Sequence, residues 1–177
     1  MRWVVCNYDS HGAALLDIFN DAILHTTALY ENDLRTMEFM LQWFADKEAA
    51  KHPVVGLLDN DDEGGGGEVL VGFATFGMFR TRPCYRFTVE HSVYVDKRFR
   101  GRGYGKHLLV EILKRAEQDN YHCVVGVVDS SNAASIALHE KCGFSLCGTI
   151  RHAGFKFERW LDTCILQKVL TADPPPP

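Results

Sequence analysis

The chain has 177 residues and lacks any apolar run of the roughly 18 to 20 residues that a membrane-spanning helix needs. Its first residues form a short strand-like run instead of a long apolar secretory core. Positive charge is in deficit, with 19 basic against 23 acidic residues and a net charge of −4, so the overall field repels phosphate backbones and anionic membranes. We therefore expect a cytoplasmic protein that binds neither membranes nor nucleic acids.

Motifs typical of metal sites and disulfide frameworks are also missing. The six cysteines form no C-x-x-C pair, and the eight histidines include no H-E-x-x-H pattern. We predict that the cysteines are reduced core residues and that no metal is bound.

Apolar periodicity predicts an α/β (α+β) chain in which strands and helices alternate. It predicts strands at 3–6, 54–58, 69–79, 85–95, 124–128, 144–150 and 157–170. Four helices are predicted: one capped by Asp9 or Ser10, one around 37–44, one opened by Gly103, and one capped by Asp129, Ser130 or Ser131 that ends near Gly143. We expect a hairpin loop at 59–67, one domain over 1–170 and a disordered proline-rich tail at 171–177.

One segment reverses the overall sign of charge. Five basic residues fall within the ten positions from Lys97 to Lys106, interleaved with three glycines, after a predicted strand and at the start of a predicted helix. A helix N-terminus has free amides and a positive dipole end, and glycine lets backbone approach a ligand closely, so the segment suits a diphosphate or longer anion. The spacing fits neither a Rossmann G-x-G-x-x-G nor a P-loop. A solvated basic turn is the alternative.

Two motifs then carry a resemblance. Arg100, Gly103 and Gly105 form R-x-x-G-x-G, and thirty residues later come Asn132-Ala133-Ala134-Ser135 and Leu138-His139-Glu140-Lys141-Cys142-Gly143-Phe144. The pair resembles the acetyl-CoA-binding region of the GNAT superfamily of N-acetyltransferases. Further runs, including Thr88 to Val95 and Gly154-Phe155-Lys156, resemble its phosphinothricin and methionine sulfoximine acetyltransferase branch.

The resemblance implies a GNAT fold: a central, mostly antiparallel mixed sheet of six to seven strands, about four helices, and parallel strands that splay at the acetyl-CoA site. It implies acetyl-CoA as cosubstrate, a small amino acid or glutamate-like analogue as acceptor, and a homodimer. The implied cofactor-binding residues are Val93, Tyr94, Val95, Arg100, Gly101, Arg102, Gly103, Tyr104, Gly105, Lys106, Asn132 and Ser135.

The chemistry needs a proton acceptor, because an ammonium group has no lone pair with which to attack a thioester. Glu90 is the candidate, at the position where the branch carries its catalytic carboxylate. Partial burial would raise its pKa toward a useful value. Asn132, Ser135 and His139 are spaced i, i+3 and i+7 and so share one helical face; His139 is the second catalytic candidate, as general acid, second base or positioning group. The oxyanion donor is expected to be a backbone amide near Val95.

Substrate selection is predicted to use Arg80 and Arg82, since guanidinium groups match carboxylates bidentately. Thr81, His91 and Ser92 complete the predicted substrate-binding set together with Glu90. Alternatives to an amino-acid acetyltransferase are an enzyme that acetylates peptide or protein amines and a module that senses coenzyme A without turnover.

Overall fold

The computed structural model describes residues 1–61 and 66–170. Within them lie seven strands, β1 (Arg2–Val5), β2 (Val54–Asn60), β3 (Glu68–Met78), β4 (Thr88–Val95), β5 (Cys123–Asp129), β6 (Ser145–Lys156) and β7 (Arg159–Val169). The same residues form four α-helices, α1 (Tyr8–His25), α2 (Met37–Ala49), α3 (Tyr104–Gln118) and α4 (Ala133–Lys141). Short 3-10 turns cover Pro83–Tyr85 and Lys97–Phe99.

The strands form one sheet in the order β1-β2-β3-β4-β5-β7-β6. All neighbouring pairs are antiparallel except β4 and β5, which are parallel because α3 crosses over between them. The predicted mixed, mostly antiparallel sheet with four helices is confirmed.

Each face of the sheet buries its own apolar cluster. On one face, Phe73 and Tyr94 of the sheet meet Leu15 and Phe19 of α1 and Met40 of α2. The other face is covered by α3, whose apolar stripe was predicted from the sequence and is buried as expected; its members are Leu108, Leu109, Ile112, Leu113 and Ala116. The sheet is therefore covered on both sides, which limits where a ligand can reach it.

Two helix caps differ from the sequence prediction. Asn7 caps α1 and accepts the Ser10 amide, so neither Asp9 nor Ser10 is the cap. Asn132 caps α4 and accepts the Ser135 amide. Asp129 instead accepts a hydrogen bond from the Ser131 amide in the turn before α4. It also accepts hydrogen bonds from the hydroxyl groups of Ser131 and Tyr30. In both places the cap is the polar residue whose side chain is aligned with the first free amides of the helix, and not one of its neighbours.

The last hairpin is longer than predicted. Strand β6 does not end at Ile150 but runs to Lys156, past the register shift that accommodates 151–153. Phe157 and Glu158, predicted as strand, form the turn, and both have positive φ, as the two-residue turn that suits strand twist requires. Strand β4 begins at Thr88 and not at Tyr85, because Pro83 opens a 3-10 turn there.

Some sequence predictions lie wholly or partly outside the described residues, namely the tail at 171–177 and positions 62–65 of the loop. The prediction that all cysteines are core residues is wrong for two of them: Cys84 and Cys147 are exposed, although all six are free thiols. No helix among the described residues has the length and apolar character needed to cross a bilayer.

Candidate active site

The site is built around the separation of the two parallel strands. Only Thr88 to Glu90 of β4 pair with Cys123 to Val125 of β5. Beyond this point β4 continues to Val95 beside β3, while β5 continues to Asp129 beside β7. The gap opens into a cavity of about 530 Å³. On the sides that face the gap, β4 and β5 have no neighbouring strand, so their backbone N–H and C=O groups there are free of ladder hydrogen bonds. These groups can hydrogen-bond an extended ligand in the cavity.

Most of the predicted site residues meet in this cavity. Its lining includes Glu90, His91, Ser92, Val93, Tyr94, Val95, Arg100, Gly105, Asn132, Ser135 and His139. Alternation along β4 sends Glu90, Ser92 and Tyr94 to the face covered by α1 and α2, whereas His91 and Val93 face α3 and α4. Glu90 and His139 are therefore on opposite faces of the sheet.

Glu90 is partly buried at the closed end of the gap, where it belongs to the last residue pair of the parallel ladder. Burial raises its pKa above the ordinary value of 4.5, while the charge of Arg80 acts in the opposite direction. Its cross-strand partner on β3 is Gly77, which has no side chain, and a Cβ there would lie 3.5 Å from the Lys47 ammonium nitrogen. A half-buried carboxylate that lines the cavity and has a raised pKa fits a general base.

Ser92 and Tyr94 continue the polar edge of β4 along the same face. Burial raises the pKa of Tyr94 to about 12, with smaller opposing effects from the Arg35 charge and from a Ser92 hydrogen bond. The Arg35 guanidinium stacks 3.9 Å above the Phe19 ring and hydrogen-bonds Glu31 through Nε and Nη2. These contacts hold the wall of the cavity next to Glu90 as one packed unit.

A loop that the sequence prediction missed closes one side of the cavity. Thr27, Ala28, Leu29 and Tyr30, between α1 and α2, all line it. Lys156 fastens this loop from the final hairpin, since its buried ammonium donates to the carbonyl oxygens of Thr26 at 2.9 Å and Leu29 at 2.7 Å.

Tyr30 completes this closure. Its hydroxyl donates to Asp129 at 2.9 Å and accepts from Thr163 at 3.1 Å. Burial raises the pKa of Asp129, but hydrogen bonds from Ser131 and Tyr30 outweigh it and hold the pKa below its ordinary value, so Asp129 is a firm acceptor. Gly154 makes room for the Tyr30 ring: a Cβ there would lie 2.5 Å from Cδ2 of that ring.

Helix α4 contributes Asn132 and Ser135 from its first turn and His139 from its last. As predicted, all three share one face and line the cavity. His139 is 5% exposed. Its Nδ1 lies 2.7 Å from the Ser135 carbonyl oxygen, and its Nε2 lies 3.0 Å from Nε2 of His91.

The glycine segment begins α3 as predicted. Gly101 and Gly103 have φ of 78° and 88°, which favours glycine, and a Cβ at either position would meet nothing within 4 Å. The open space lies at a helix N-terminus, so the backbone fits an anionic group such as a pyrophosphate. Of the segment, Arg100 and Gly105 line the cavity.

Several basic side chains of this segment are bound to acids of the protein. Arg100 donates to Asp21 at 2.7 Å and to the Val95 carbonyl oxygen at 3.1 Å, and Lys97 also pairs with Asp21. Arg98 pairs with Asp96. The local excess of positive charge is therefore smaller than the sequence indicates, and the loop backbone carries more of any anion binding.

Four predicted site residues have other surroundings. Tyr104 donates its hydroxyl to Asp59 at 2.6 Å, a link to the end of β2. Arg80, Thr81 and Arg82 are exposed and do not line the cavity. Arg80 lies over the Phe79 ring and close enough to Glu90 to affect its pKa. Roles for Gly101, Arg102, Gly103 and Lys106 at the cofactor, and for Thr81 and Arg82 at the substrate, remain predictions.

Comparison with known proteins agrees with this geometry. The profile of the acetyltransferase (GNAT) family matches residues 15–144. The chain is 38% identical to an L-methionine sulfoximine/L-methionine sulfone acetyltransferase of Pseudomonas aeruginosa, over 90% of this chain and 88% of that protein. A phosphinothricin N-acetyltransferase of Streptomyces viridochromogenes is 32% identical over 93% of this chain and 85% of that protein.

Among solved structures, the phosphinothricin acetyltransferase of Sinorhizobium meliloti in complex with acetyl-CoA superposes with a TM-score of 0.90. It is 31% identical, and the match covers 99% of this chain and 92% of that one. The chain therefore belongs to the GNAT acetyltransferase family. It is an acetyl-CoA-dependent N-acetyltransferase, similar to enzymes named for methionine sulfoximine and phosphinothricin, and this confirms the resemblance seen in the sequence.

We predict that Gly154→Ala raises the KM for the amine substrate several-fold, because the added methyl group displaces the Tyr30 ring from the cavity wall. The matched control is Gly148→Ala on the same strand, where a Cβ meets nothing within 4 Å. Steady-state kinetics of both variants check this. Equal KM values in the two variants would show that Tyr30 does not shape the substrate site.

Proposed function

We propose that this enzyme acetylates the α-amino group of a small amino acid or glutamate-like analogue of the methionine sulfoximine, methionine sulfone or phosphinothricin type. The main support is the position of Glu90, a partly buried carboxylate at the closed end of the strand gap with its pKa raised. The relatives that match most of the chain are named for substrates of this class.

The proposed reaction is direct transfer in a ternary complex. Acetyl-CoA supplies the activated acetyl group, and its binding is assigned to the gap between β4 and β5 and to the start of α3. Glu90 accepts a proton from the substrate ammonium group, directly or through one water, and so exposes the lone pair for attack. Backbone amides near Val95 stabilise the negative charge that develops on the carbonyl oxygen.

The base has a matching electrostatic setting. Glu90 lines the cavity, which has space for an amine, while Arg80 places a positive charge nearby. That charge is available to attract a substrate carboxylate. A small zwitterion thus meets a base for its ammonium group and a cation for its carboxylate, which favours an amino acid over a peptide amine.

We also propose that residues 1–170 form one domain that acts as a homodimer through the β6–β7 hairpin. Strand β6 is an edge strand of twelve residues and is exposed along almost its whole length. The hairpin also exposes large apolar side chains, namely Leu146, Ile150, Phe155, Phe157 and Trp160. A long apolar edge of this kind invites pairing with a second copy. The cytoplasmic location and the absence of a nucleic-acid partner remain predictions.

Thiol release from acetyl-CoA, measured across amino acids, sulfones, sulfoximines and peptides, tests the activity. We expect the small amino-acid analogues to accelerate release. Glu90→Gln should lower kcat at least about 100-fold, the usual contribution of a general base, with little change in acetyl-CoA affinity. The amino-acid proposal fails if only peptides accelerate release, and the role of Glu90 fails if the variant keeps wild-type kcat.

Arg80→Ala should raise the KM for substrates that carry a carboxylate. It should also move the acid limb of the pH profile of kcat/KM to higher pH. The base acts only when deprotonated, and Arg80 lowers the pKa of Glu90, so its removal lets that pKa rise further. Arg86→Ala removes the same charge from an exposed residue of the same segment that has no predicted site role and no effect on the pKa of Glu90, and it serves as control. Identical acid limbs in all three proteins would remove Arg80 from the site.

Analytical ultracentrifugation tests the dimer. Trp160→Asp on the exposed hairpin is expected to shift the protein toward monomer, because it places a charge in the proposed contact. Val5→Asp changes an exposed apolar residue on β1 at the opposite edge of the sheet and should leave the dimer intact. A wild-type protein that sediments as a monomer contradicts the proposal.

A further inference from the structure

The two imidazoles that meet at the closed end of the strand gap have a defined protonation pattern. His91 follows Glu90 directly, at the first position of β4 beyond its ladder with β5, and Gly126 holds the equivalent position on β5. His139 reaches this point from α4. Both rings are buried, with 7% and 5% exposure, and both pack against the Phe144 ring.

The proton on His139 is fixed by its neighbour. Its Nδ1 lies 2.7 Å from the carbonyl oxygen of Ser135, and a carbonyl oxygen can only accept, so Nδ1 carries a hydrogen. In a neutral ring Nε2 then has the lone pair. The partner 3.0 Å away, Nε2 of His91, must therefore be the donor.

The surroundings favour neutral rings. Burial lowers the pKa of His91 to about 3, with a smaller effect from His139, and burial also lowers the pKa of His139. The Ser135 carbonyl acts in the opposite direction on His139 but does not outweigh burial. No carboxylate contributes to either shift.

This pattern leaves His139 without a free nitrogen. Both of its ring nitrogens are used inside the protein, so the ring has none to offer to an amine or to a leaving sulfur. Of the four ring nitrogens in the pair, Nδ1 of His91 has no hydrogen-bond partner among the described residues, and it is buried. An acid–base role for His139 would require breaking one of its two hydrogen bonds in an apolar setting.

The pair connects the two walls of the gap. Ser135 and the cap Asn132 belong to the first turn of α4, and both line the cavity. Ser92 to Val95 follow His91 on β4 and line it from the other side. Where the backbone ladder stops, the imidazole pair provides a hydrogen-bonded side-chain link between them. Gly126 permits it, since a Cβ there would lie 3.0 Å from Nε2 of both rings.

We propose that His91 and His139 form a neutral pair with fixed tautomers that sets the width of the acetyl-CoA gap, and that His91 is a positioning residue and not part of the acid–base chemistry. His139 was a candidate general acid, second base or positioning group, and the neutral pair assigns it the positioning role. The inference builds on acetyl-CoA binding in the gap and does not depend on which amine is acetylated.

Nitrogen-15 NMR of the full chain with labelled histidine tests the pair without any substrate. At neutral pH we expect His139 to carry its hydrogen on Nδ1 and His91 on Nε2. The proposal is overturned if His139 is protonated on Nε2, or if either ring is charged. Because no amine is present, this result stands or falls separately from the proposed function.

Binding and kinetics of two variants test the positioning role. His91→Leu removes the donor to His139 and is expected to weaken acetyl-CoA binding about tenfold, the equivalent of one hydrogen bond of about 1.4 kcal/mol, while kcat at saturation falls less than about threefold. His91→Gln keeps an N–H near the position of Nε2 and should recover most of the affinity. Calorimetry gives Kd and steady-state assays give kcat.

A His91→Leu variant that loses most of its kcat but binds acetyl-CoA normally overturns the proposal, since that result belongs to an acid–base residue. If His91→Leu does not fold, Gly126→Ala replaces it, because its methyl group separates the rings while keeping both imidazoles. Weakened acetyl-CoA binding in Gly126→Ala supports the proposal, and unchanged binding contradicts it.

Discussion

The parallel contact between β4 and β5 lasts for only three residue pairs, and the rest of the site depends on where it stops. Up to Glu90 the two strands share a ladder; beyond it each keeps only its other neighbour. A sheet broken in this way has to satisfy backbone groups along the gap, and an extended ligand that runs between the strands does so. The same break places Glu90 and His91 at the closed end of the gap, on opposite faces.

Around this break the protein uses polar and charged side chains mainly to hold the walls in place. The Lys156 ammonium holds the loop before Tyr30, Arg100 ties the turn before α3 to Asp21, and His139 joins α4 to His91. Buried polar groups such as Lys156 and His139 are costly unless they are paired, so their contacts define one arrangement of the wall. Glu90 differs from them because it is partly buried and has no hydrogen bond or ion pair with another described residue, which leaves its carboxylate available for a proton.

The sequence was sufficient for the sheet, the four helices, the anion-binding turn and most of the cavity lining, because these depend on local periodicity and on motifs of fixed spacing. It was not sufficient for contacts between distant segments. Tyr30 lies in an aperiodic loop, and its importance follows from contacts with Asp129 and Gly154, which are distant in the sequence. Likewise, Arg100 was predicted to face an anion and is bound to Asp21, and the proton positions of His91 and His139 follow only from their distances.

A crystal structure of the protein with acetyl-CoA and a non-reactive amino-acid analogue tests the central claim most directly. The account predicts that the pantetheine arm lies in the gap between β4 and β5, against the backbone of Val93 to Val95, with the pyrophosphate at the start of α3. The analogue's amino group should lie within hydrogen-bond reach of Glu90, directly or through one water. A cofactor bound elsewhere, or an amino group on the His139 face of β4, would contradict it.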